Sequence, residues 1–381
     1  MISNNFKHSV AILQRIAPHY RHAFFRGLRA SLGDNNIDLN LYYGDEYPGS
    51  VPKSQYIEEP WAIHVQNRYY SFGGRDMVWQ STPGLSKYNL VIVEHAARLL
   101  NNYSLLAARR LGLLNKMAFW GHGENLQHGR SRPVTEFLKR ILLHQVDHYF
   151  AYTSLSHNRL LVSGLDDRRI TIVNNTIDSL ELKKQIAGVS QDQMDAIRNQ
   201  IGLQGEHVAI YCGGLYQEKR IEFLIESAIR IRREMADFEL IVIGDGPDAT
   251  IVDKSSKEHD WIKYIGPVFG DDLALYYRLS QCLLMPGMVG LAIIDAFTAE
   301  LPLLTTNHDM HSPEIAYLED GINGLITPAT VNDYAAAVIL CLTDINLLKR
   351  LRAGCRVSSD KLTMANMTHN FTKGILKCLN T

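Results

Sequence analysis

Lys219 follows two glycines at the end of an apolar run, a spacing that suits phosphate binding. The run HVAIYCGGL (207–215) predicts a buried strand, and residues 219–235 predict a helix that begins at Lys219. Gly213 and Gly214 allow close approach to the backbone, and a cation at a helix N-terminus adds to the positive end of the helix dipole. On its own, however, this pattern is more often a solvated lysine beside a tight turn.

A second motif, PGMVGLAIIDAF (286–297), predicts a strand end at Gly287 and a helix start near Gly290. Free amides of Gly290 and Leu291 at that start would form an anion site. Asp295 lies more than one turn into the helix among apolar neighbours. It is either a capping or salt-bridge partner, or an acceptor for sugar hydroxyls such as those of a ribose.

His122 ends a third apolar run, KMAFWGH (116–122), and lies between two glycines. Most isolated histidines are structural. The end of a predicted parallel strand, however, is where α/β proteins bind their ligands.

These residues require parallel strands to position them, and the chain supplies apolar runs that alternate with amphipathic stretches. Runs that are apolar on both faces predict parallel sheets covered by helices. The first half contains predicted strands at 9–16, 37–43, 89–95, 116–122, 148–153 and 169–175, with helices at 22–32 and 135–147. The second half contains predicted strands at 207–215, 238–246, 263–268, 282–287 and 301–307, with helices at 219–235, 273–281 and 290–300.

The remaining stretches predict the domain boundaries. Residues 50–88 have no clean period and are expected to form long loops, whereas the polar segment 178–207 reads as a linker plus a helix. We therefore expect domains at 1–178 and 179–360, with a last helix at 361–381 that crosses back to the first domain.

Composition excludes several classes of protein. The 381 residues carry 39 Lys and Arg against 40 Asp and Glu, which argues against a dedicated nucleic-acid binder, and no run of about 18 apolar residues predicts a membrane span. Residues 1–178 hold 20 basic and 14 acidic residues, an excess that is either chance or a face for phosphates or an anionic membrane. Five cysteines without a CxxC pair and no signal peptide predict reduced thiols and a cytoplasmic address.

Five motifs in one order resemble family 4 of the retaining glycosyltransferases, which have the GT-B fold of two Rossmann-like domains facing a cleft. The motifs are GGLYQEK, LIVIGDGP, YIGPV, LLMPGMVGLAIIDAFTAELPLLTT and GINGLI. In the first half, RIAPHYRHAFFRGL, WGHGEN and FAYTS are similar to a subgroup that builds bacterial cell-surface glycans.

The resemblance implies transfer of a hexose from a nucleotide sugar, most often UDP-linked, to a glycan or lipid-linked acceptor. The reaction would retain the anomeric configuration and serve the assembly of a surface polysaccharide such as lipopolysaccharide, at the inner face of the cytoplasmic membrane. The first domain would bind the acceptor and the second the donor. Two residues would be catalytic, His122 and Lys219. The donor-binding set would be Gly213, Gly214, Lys219, Arg220, Tyr264, Ile265, Gly287, Met288, Val289, Gly290, Leu291 and Asp295.

Within that set the resemblance assigns separate roles. Lys219 would neutralise the diphosphate, Asp295 would take the ribose hydroxyls, and the base would lie near Tyr264 and Ile265. His122 would contact the donor sugar rather than act as a general base. The sequence contains no Asp-x-Asp pair, so we expect a metal-independent enzyme without a cofactor.

Three positions depart from the family pattern. Gly287 stands where the first of two paired acids is expected, so backbone amides from Gly287 to Val289 would replace it. Gly214 stands where an arginine is common, which leaves Lys219 with help from Arg220. The glycine-rich first turn is replaced by APHYR (17–21). Its Arg21 and His19, with Glu124, form the expected acceptor side.

Two further segments allow alternatives. His308, His311 and Glu314 suggest a zinc site, but the segment fits better a helix start capped by Ser312. The basic stretch 130–149 predicts a helix that packs on a sheet or lies on an anionic membrane. Two other functions also fit the sequence, a GT-B sugar-nucleotide epimerase and an inactive GT-B partner subunit.

Overall fold

Two series of buried parallel strands fold into two separate α/β units. The computed structural model describes residues 6–49, 56–72, 75–123 and 142–381. Unit 1 holds the described residues up to 178 together with Met364–Thr381, whereas unit 2 holds Ser179–Thr363. The chain therefore leaves unit 1 after residue 178 and returns to it for the last helix.

The elements alternate as the apolar runs predict. The strands are β1 (His8–Gln14), β2 (Ile37–Gly44), β3 (Ala62–Val65), β4 (Asn67–Phe72), β5 (Arg75–Gln80), β6 (Leu90–Glu94), β7 (Lys116–Gly121), β8 (His148–Ala151), β9 (Ile170–Ile172), β10 (His207–Cys212), β11 (Phe238–Ile243), β12 (Ile262–Gly266), β13 (Cys282–Leu284), β14 (Leu303–Thr306) and β15 (Gly324–Thr327). The helices are α1 (His22–Gly33), α2 (Leu100–Arg110), α3 (Ser154–Val162), α4 (Leu180–Gly188), α5 (Gln191–Ile201), α6 (Ile221–Glu234), α7 (Ala249–Glu258), α8 (Asp271–Leu279), α9 (Ala292–Thr298), α10 (Val331–Thr343), α11 (Ile345–Lys361) and α12 (Met364–Asn380).

Unit 1 is built on a seven-stranded parallel sheet in the order β3-β2-β1-β6-β7-β8-β9. Successive residues of β1 point to opposite faces: Val10 and Ile12 pack with α1 and α12, whereas Ala11 and Leu13 pack with α2 and α3. The last helix belongs to this core, because the ring of Phe371 stacks on Phe150 at 4.3 Å between centroids. Burial on both faces explains why the strands of unit 1 read as continuous apolar runs.

Unit 1 differs from the sequence predictions in several places. The stretch 50–88 is not a long loop, because its described part contains the edge strand β3 and the antiparallel hairpin β4–β5. Its polar and aromatic side chains mask the strand period. Helices α2 and α3 were not predicted. The helix expected at 135–147 lies mostly outside the described residues, and its described part is helical only at 142 and 143.

Unit 2 is built on a six-stranded parallel sheet in the order β12-β11-β10-β13-β14-β15. Residues 178–207 form two helices, α4 and α5, rather than a linker and one helix. Ser190 and Gln193 close a capping box at the start of α5, and Gly202 ends it in the left-handed conformation. The elements α7, β15, α10 and α11 were not predicted.

Among the described residues no single helix is long and apolar enough to span a membrane. Helices α10 and α11 pass a length and composition test as a pair, but they are bent by 93° at their junction.

Candidate functional site

The candidate donor site of unit 2 lies where the strand order of its sheet reverses, between β10 and β13. Gly213 and Gly214 follow β10, and Pro286 and Gly287 follow β13. The two strands are parallel neighbours. Ligands of open α/β sheets bind at such switch points, outside the carboxyl ends of the strands. The topology thus brings the two sequence motifs together.

The glycines at this edge are required by close packing of backbone on backbone. A Cβ at Gly287 would overlap the main chain of Glu218 and Lys219, and a Cβ at Gly244 would overlap the carbonyl oxygen of Gly213. A Cβ at Gly214 would meet the ring of Tyr216. An acidic side chain at residue 287 is therefore excluded by the turn that carries Lys219.

Lys219 ends a 3-10 turn, Gln217–Lys219, and not the first turn of a helix as the sequence suggested. Its side chain is 6% exposed, and Nζ donates to the carbonyl oxygen of Met288 at 2.5 Å. No ion pair of Lys219 occurs within the described part of the chain. Desolvation lowers the pKa of Lys219 to about 8. A buried cation held by one carbonyl and by the sulfur of Met285, two neutral partners, is ready to accept a stronger, anionic partner.

Arg220 connects this turn to helix α6 and adopts the left-handed conformation, with φ of 57°. Its Nη1 donates to Oγ1 of Thr306 at 3.0 Å, and that hydroxyl donates to the carbonyl oxygen of Pro286 at 2.7 Å. The guanidinium also lies over the ring of Phe223. We call residues 286–290 the glycine loop. Arg220 therefore stabilises the start of this loop through Thr306.

His311 holds the other side of the glycine loop. Its Nδ1 accepts the amide of Val289 at 3.1 Å, so the ring proton lies on Nε2, which donates to the carbonyl oxygen of Thr306 at 2.9 Å. Desolvation lowers the pKa of His311 to about 4, so the ring is neutral at pH 7. This histidine was considered as a metal ligand from the sequence, but its two nitrogens are both engaged by backbone.

The backbone amides of the glycine loop differ in their availability. Met288 donates its amide to Glu218, and Val289 donates to His311. These two amides are therefore occupied, in contrast to the expectation that they replace the missing acid. No hydrogen bond within the described residues uses the amides of Gly290 and Leu291, which precede helix α9.

Asp295 lies on α9 near Cys212 and Tyr277, and its negative charge contributes to the raised pKa of both groups. No ion pair of Asp295 occurs among the described residues. Desolvation raises the pKa of this carboxyl to about 7. A capping or salt-bridge role is thus not supported, and the carboxyl is left as a hydrogen-bonding group.

Tyr264 and Ile265 lie near the end of β12, two strands from the switch point. Tyr264 donates its hydroxyl to the carbonyl oxygen of Gly244 at 3.3 Å. Both residues are partly exposed at the same carboxyl edge as Gly213.

Unit 1 has a recess at its own switch point, between β1 and β6. It is lined by Gln14, Arg15, Ile16, Pro18, Tyr20, Arg21, Glu94 and Tyr152. Arg21 is 5% exposed, and its Nη2 donates to Asn175 at 3.1 Å and to the Tyr152 hydroxyl at 3.3 Å. Sequence reasoning proposed Arg21 but missed Glu94, whose position as the last residue of β6 was the available signal.

His122 lies beside this recess, with its ring 4.4 Å from that of Tyr152 between centroids. His122 is exposed by its accessible surface, but the protein that crowds its ring and the positive charge of Arg21 lower its pKa. His19 is exposed and packs against His22. Glu124 lies outside the described residues.

The segment 307–315 provides no metal site, since the described residues contain no cluster of three or more potential ligands. Ser312 precedes the 3-10 turn Pro313–Tyr317, but its side chain makes no capping hydrogen bond. Ser312 therefore occupies the N-cap position, but the expected capping by its side chain is wrong.

Comparison with known proteins gives a family match for part of the chain and structural neighbours for nearly all of it. Residues 206–344, which carry Lys219 and the glycine loop, match the family model described as glycosyl transferases group 1. A crystal structure of a glycosyltransferase from Rickettsia africae has a TM-score of 0.69 at 12% identity, covering 97% of this chain and 99% of that one. The Anabaena protein HepE, solved with UDP and glucose, has a TM-score of 0.66 at 12% identity and the same coverage. The chain has the GT-B fold. The fold class expected from the sequence is confirmed.

Curated relatives match one part of this GT-B chain. The alpha-monoglucosyldiacylglycerol synthase of Acholeplasma laidlawii is 29% identical over 166 residues, which are 42% of this chain and 40% of that protein. The alpha-D-kanosaminyltransferase of Streptomyces kanamyceticus is 25% identical over 162 residues, 41% of each chain. The match thus spans less than half the length of these two curated relatives.

Proposed function

We propose that this protein is a retaining glycosyltransferase of family 4, which moves a hexose from a UDP-linked donor to a glycan or lipid-linked acceptor in bacterial surface polysaccharide assembly. The observation that carries the proposal is the buried Lys219 against the glycine loop at the switch point of unit 2. Support comes from the matched family description and from the relatives' names, which are those of sugar-transferring enzymes.

The chemistry follows from the charge that develops on the leaving group. Cleavage of the bond between the anomeric carbon and the diphosphate leaves negative charge on a phosphate oxygen, and preorganised donors lower the barrier. Lys219 would exchange the carbonyl of Met288 for that oxygen, and the amides of Gly290 and Leu291 would donate to the same group. Arg220 adds positive charge behind the loop.

Each remaining donor residue has a proposed contact. Asp295 would accept the ribose hydroxyls, and Tyr264 and Ile265 would lie against the base. Gly213 and Gly214 would leave room for the diphosphate.

Retention requires the acceptor oxygen to bond to the face of the anomeric carbon that the diphosphate leaves. In our proposal the departing phosphate oxygen takes the proton of the acceptor hydroxyl, so no protein nucleophile is needed. His122 of unit 1, neutral because its pKa is lowered, would orient the donor sugar. Lys219 supplies the positive charge that a divalent ion supplies in other enzymes, and we propose a metal-independent reaction.

A Lys219→Met variant tests the donor site. We expect UDP to raise the Tm of the wild-type protein, since a ligand at 100 times its Kd stabilises the folded state by about 2.7 kcal/mol. The shift should be lost in Lys219→Met, because the buried cation is removed. It should persist in Lys257→Met, which removes a lysine that is 73% exposed on α7.

Thermal-shift measurements with UDP, GDP, ADP and UDP-glucose would check this result. Equal shifts for wild type and Lys219→Met would show that the phosphate site is misassigned. Turnover of a UDP-sugar to its epimer without any acceptor would contradict the proposed transferase activity.

A further inference from the structure

We propose that the recess of unit 1 binds the acceptor through an oxyanion, a phosphate or carboxylate borne by a sugar. This inference rests on the proposed function and deepens it by naming the acceptor class. The recess lies at the switch point between β1 and β6, where an open parallel sheet binds ligands.

Arg21 is the group that would hold the oxyanion. Its guanidinium lies over the indole of Trp120 at 4.5 Å, and the rings of Tyr20 and Tyr152 flank it at 5.5 and 5.6 Å. Asn175 and Tyr152 accept from Nη2. Nη1 is buried and has no hydrogen-bond partner among the described residues. The side chain is thus held in place with an N–H group still unsatisfied.

The charge of Arg21 is offset by Glu94 only from a distance, without a direct ion pair between described residues. A buried guanidinium is normally paired with a carboxylate, because transfer of a charge out of water is costly. Within the described residues Arg21 forms no ion pair. Glu94 lies in the same recess, but its carboxylate accepts the backbone amide of Arg15 at 3.4 Å instead. An anionic ligand would satisfy both the charge and the free N–H group.

The rest of the recess suits the hydroxyls of a sugar. Desolvation raises the pKa of Glu94, and its carboxyl is a hydrogen-bonding group for a hydroxyl. Gln14 is 3% exposed and adds an amide at the end of β1. The exposed ring of Tyr20 provides an apolar surface. A neutral sugar would use these groups but would leave Arg21 unpaired, so the geometry favours a charged one.

The test compares three probes that differ in charge: glucose 1-phosphate, glucuronate and glucose. Each is titrated by calorimetry into wild-type protein saturated with UDP, so that the phosphate site of unit 2 is occupied. We expect at least one charged probe to bind roughly tenfold or more tightly than glucose, the effect of a charge-assisted hydrogen bond. Preference for the first probe identifies a phosphate acceptor, and preference for the second a carboxylate. The proposal would be overturned if all three probes bound with equal affinity, or if no probe bound.

Variants then locate the binding. Arg21→Met should reduce the affinity for the charged probe to that for glucose, and Arg21→Lys should retain part of the preference because it keeps the charge. Arg26→Met is the matched control, since it removes an exposed arginine of α1 and should change nothing. An unchanged preference in Arg21→Met, or a loss of the preference in Arg26→Met, would contradict the assignment.

The same proteins separate this proposal from the proposed function. If Arg21 serves the acceptor, the Kd for UDP should stay within about twofold in Arg21→Met. A large loss of affinity for UDP in Arg21→Met would show that Arg21 binds the donor, and would contradict the inference. If wild type fails to bind UDP at all, the proposed function fails, whereas titration of the probes without UDP still reports on the recess.

Discussion

At the scale of single residues, the donor site is controlled by two groups with opposite pKa shifts. Desolvation lowers the pKa of Lys219 to about 8 and raises that of Asp295 to about 7. A ligand that needs the lysine charged and the carboxyl ionised binds best when both conditions hold. We therefore expect the affinity for UDP to be highest between about pH 7 and pH 8.

Asp295→Asn provides the test at this scale. Below its pKa the carboxyl is protonated, so the affinity of wild type for a ribose should rise as the pH increases from 6 to 8. Uridine is the suitable probe, because it has the ribose but no phosphate for Lys219. Calorimetry should show that dependence in wild type and a flat profile in the variant. The same slope in both proteins would show that Asp295 does not meet the ribose.

At the scale of elements, the glycine loop is held by groups from three other segments. Lys219 contacts it from the 3-10 turn, Thr306 from the end of β14, and His311 from the segment that follows. Such a loop keeps its orientation before a ligand arrives, which is what electrostatic stabilisation of a leaving group requires.

His311→Ala should loosen this loop, because the amide of Val289 and the carbonyl of Thr306 both lose a partner. Unsatisfied buried groups cost about 1–3 kcal/mol, and we expect the Kd for UDP to rise by roughly tenfold. His311→Gln, which offers one acceptor and one donor, should recover part of the affinity. Calorimetric Kd values for the three proteins, measured well below the Tm, check this. An unchanged Kd in His311→Ala would mean that the loop does not depend on His311.

At the scale of the whole molecule, each unit contains a buried neutral histidine with its pKa lowered to about 4, namely His148 in unit 1 and His311 in unit 2. In the unfolded chain a histidine titrates near 6.5. Between these values the unfolded state binds more protons, so the free energy of unfolding rises with pH there. It should not depend on these groups above pH 6.5.

Acid should therefore destabilise both units. We expect the free energy of unfolding to fall by about 1.4 kcal/mol per pH unit and per histidine as the pH drops from 6.5 towards 4. His148→Gln should reduce this dependence in unit 1, where the lowered pKa of His122 contributes a further part, and His311→Gln should reduce it in unit 2. Urea unfolding at several pH values, followed by hydrogen exchange in each unit, measures it. Identical slopes in wild type and both variants would contradict the assignment.

Much of this fold could be predicted from the sequence, because the strands of a parallel sheet buried on both faces are continuous apolar runs in the sequence. Strands β1, β2, β6, β7, β10 and β11 were predicted at nearly their observed bounds. The hairpin β4–β5 was not, since the aromatic and polar residues of 67–80 follow no clean period. Helices α10 and α11 were missed although each buries several apolar residues, such as Val338 and Leu351.

The sequence by itself determined most strands of the two parallel sheets, the glycines of the donor motifs and the candidates Lys219, Asp295, His122 and Arg21. Local spacing suffices for these, because each depends on residues close in the chain. Only the tertiary structure decided that Gly287 excludes an acid, that His311 holds the glycine loop, and that Glu94 shares a recess with Arg21. Each of these depends on which strands become neighbours, and the pairing of β10 with β13 and of β1 with β6 joins segments that lie more than 70 residues apart.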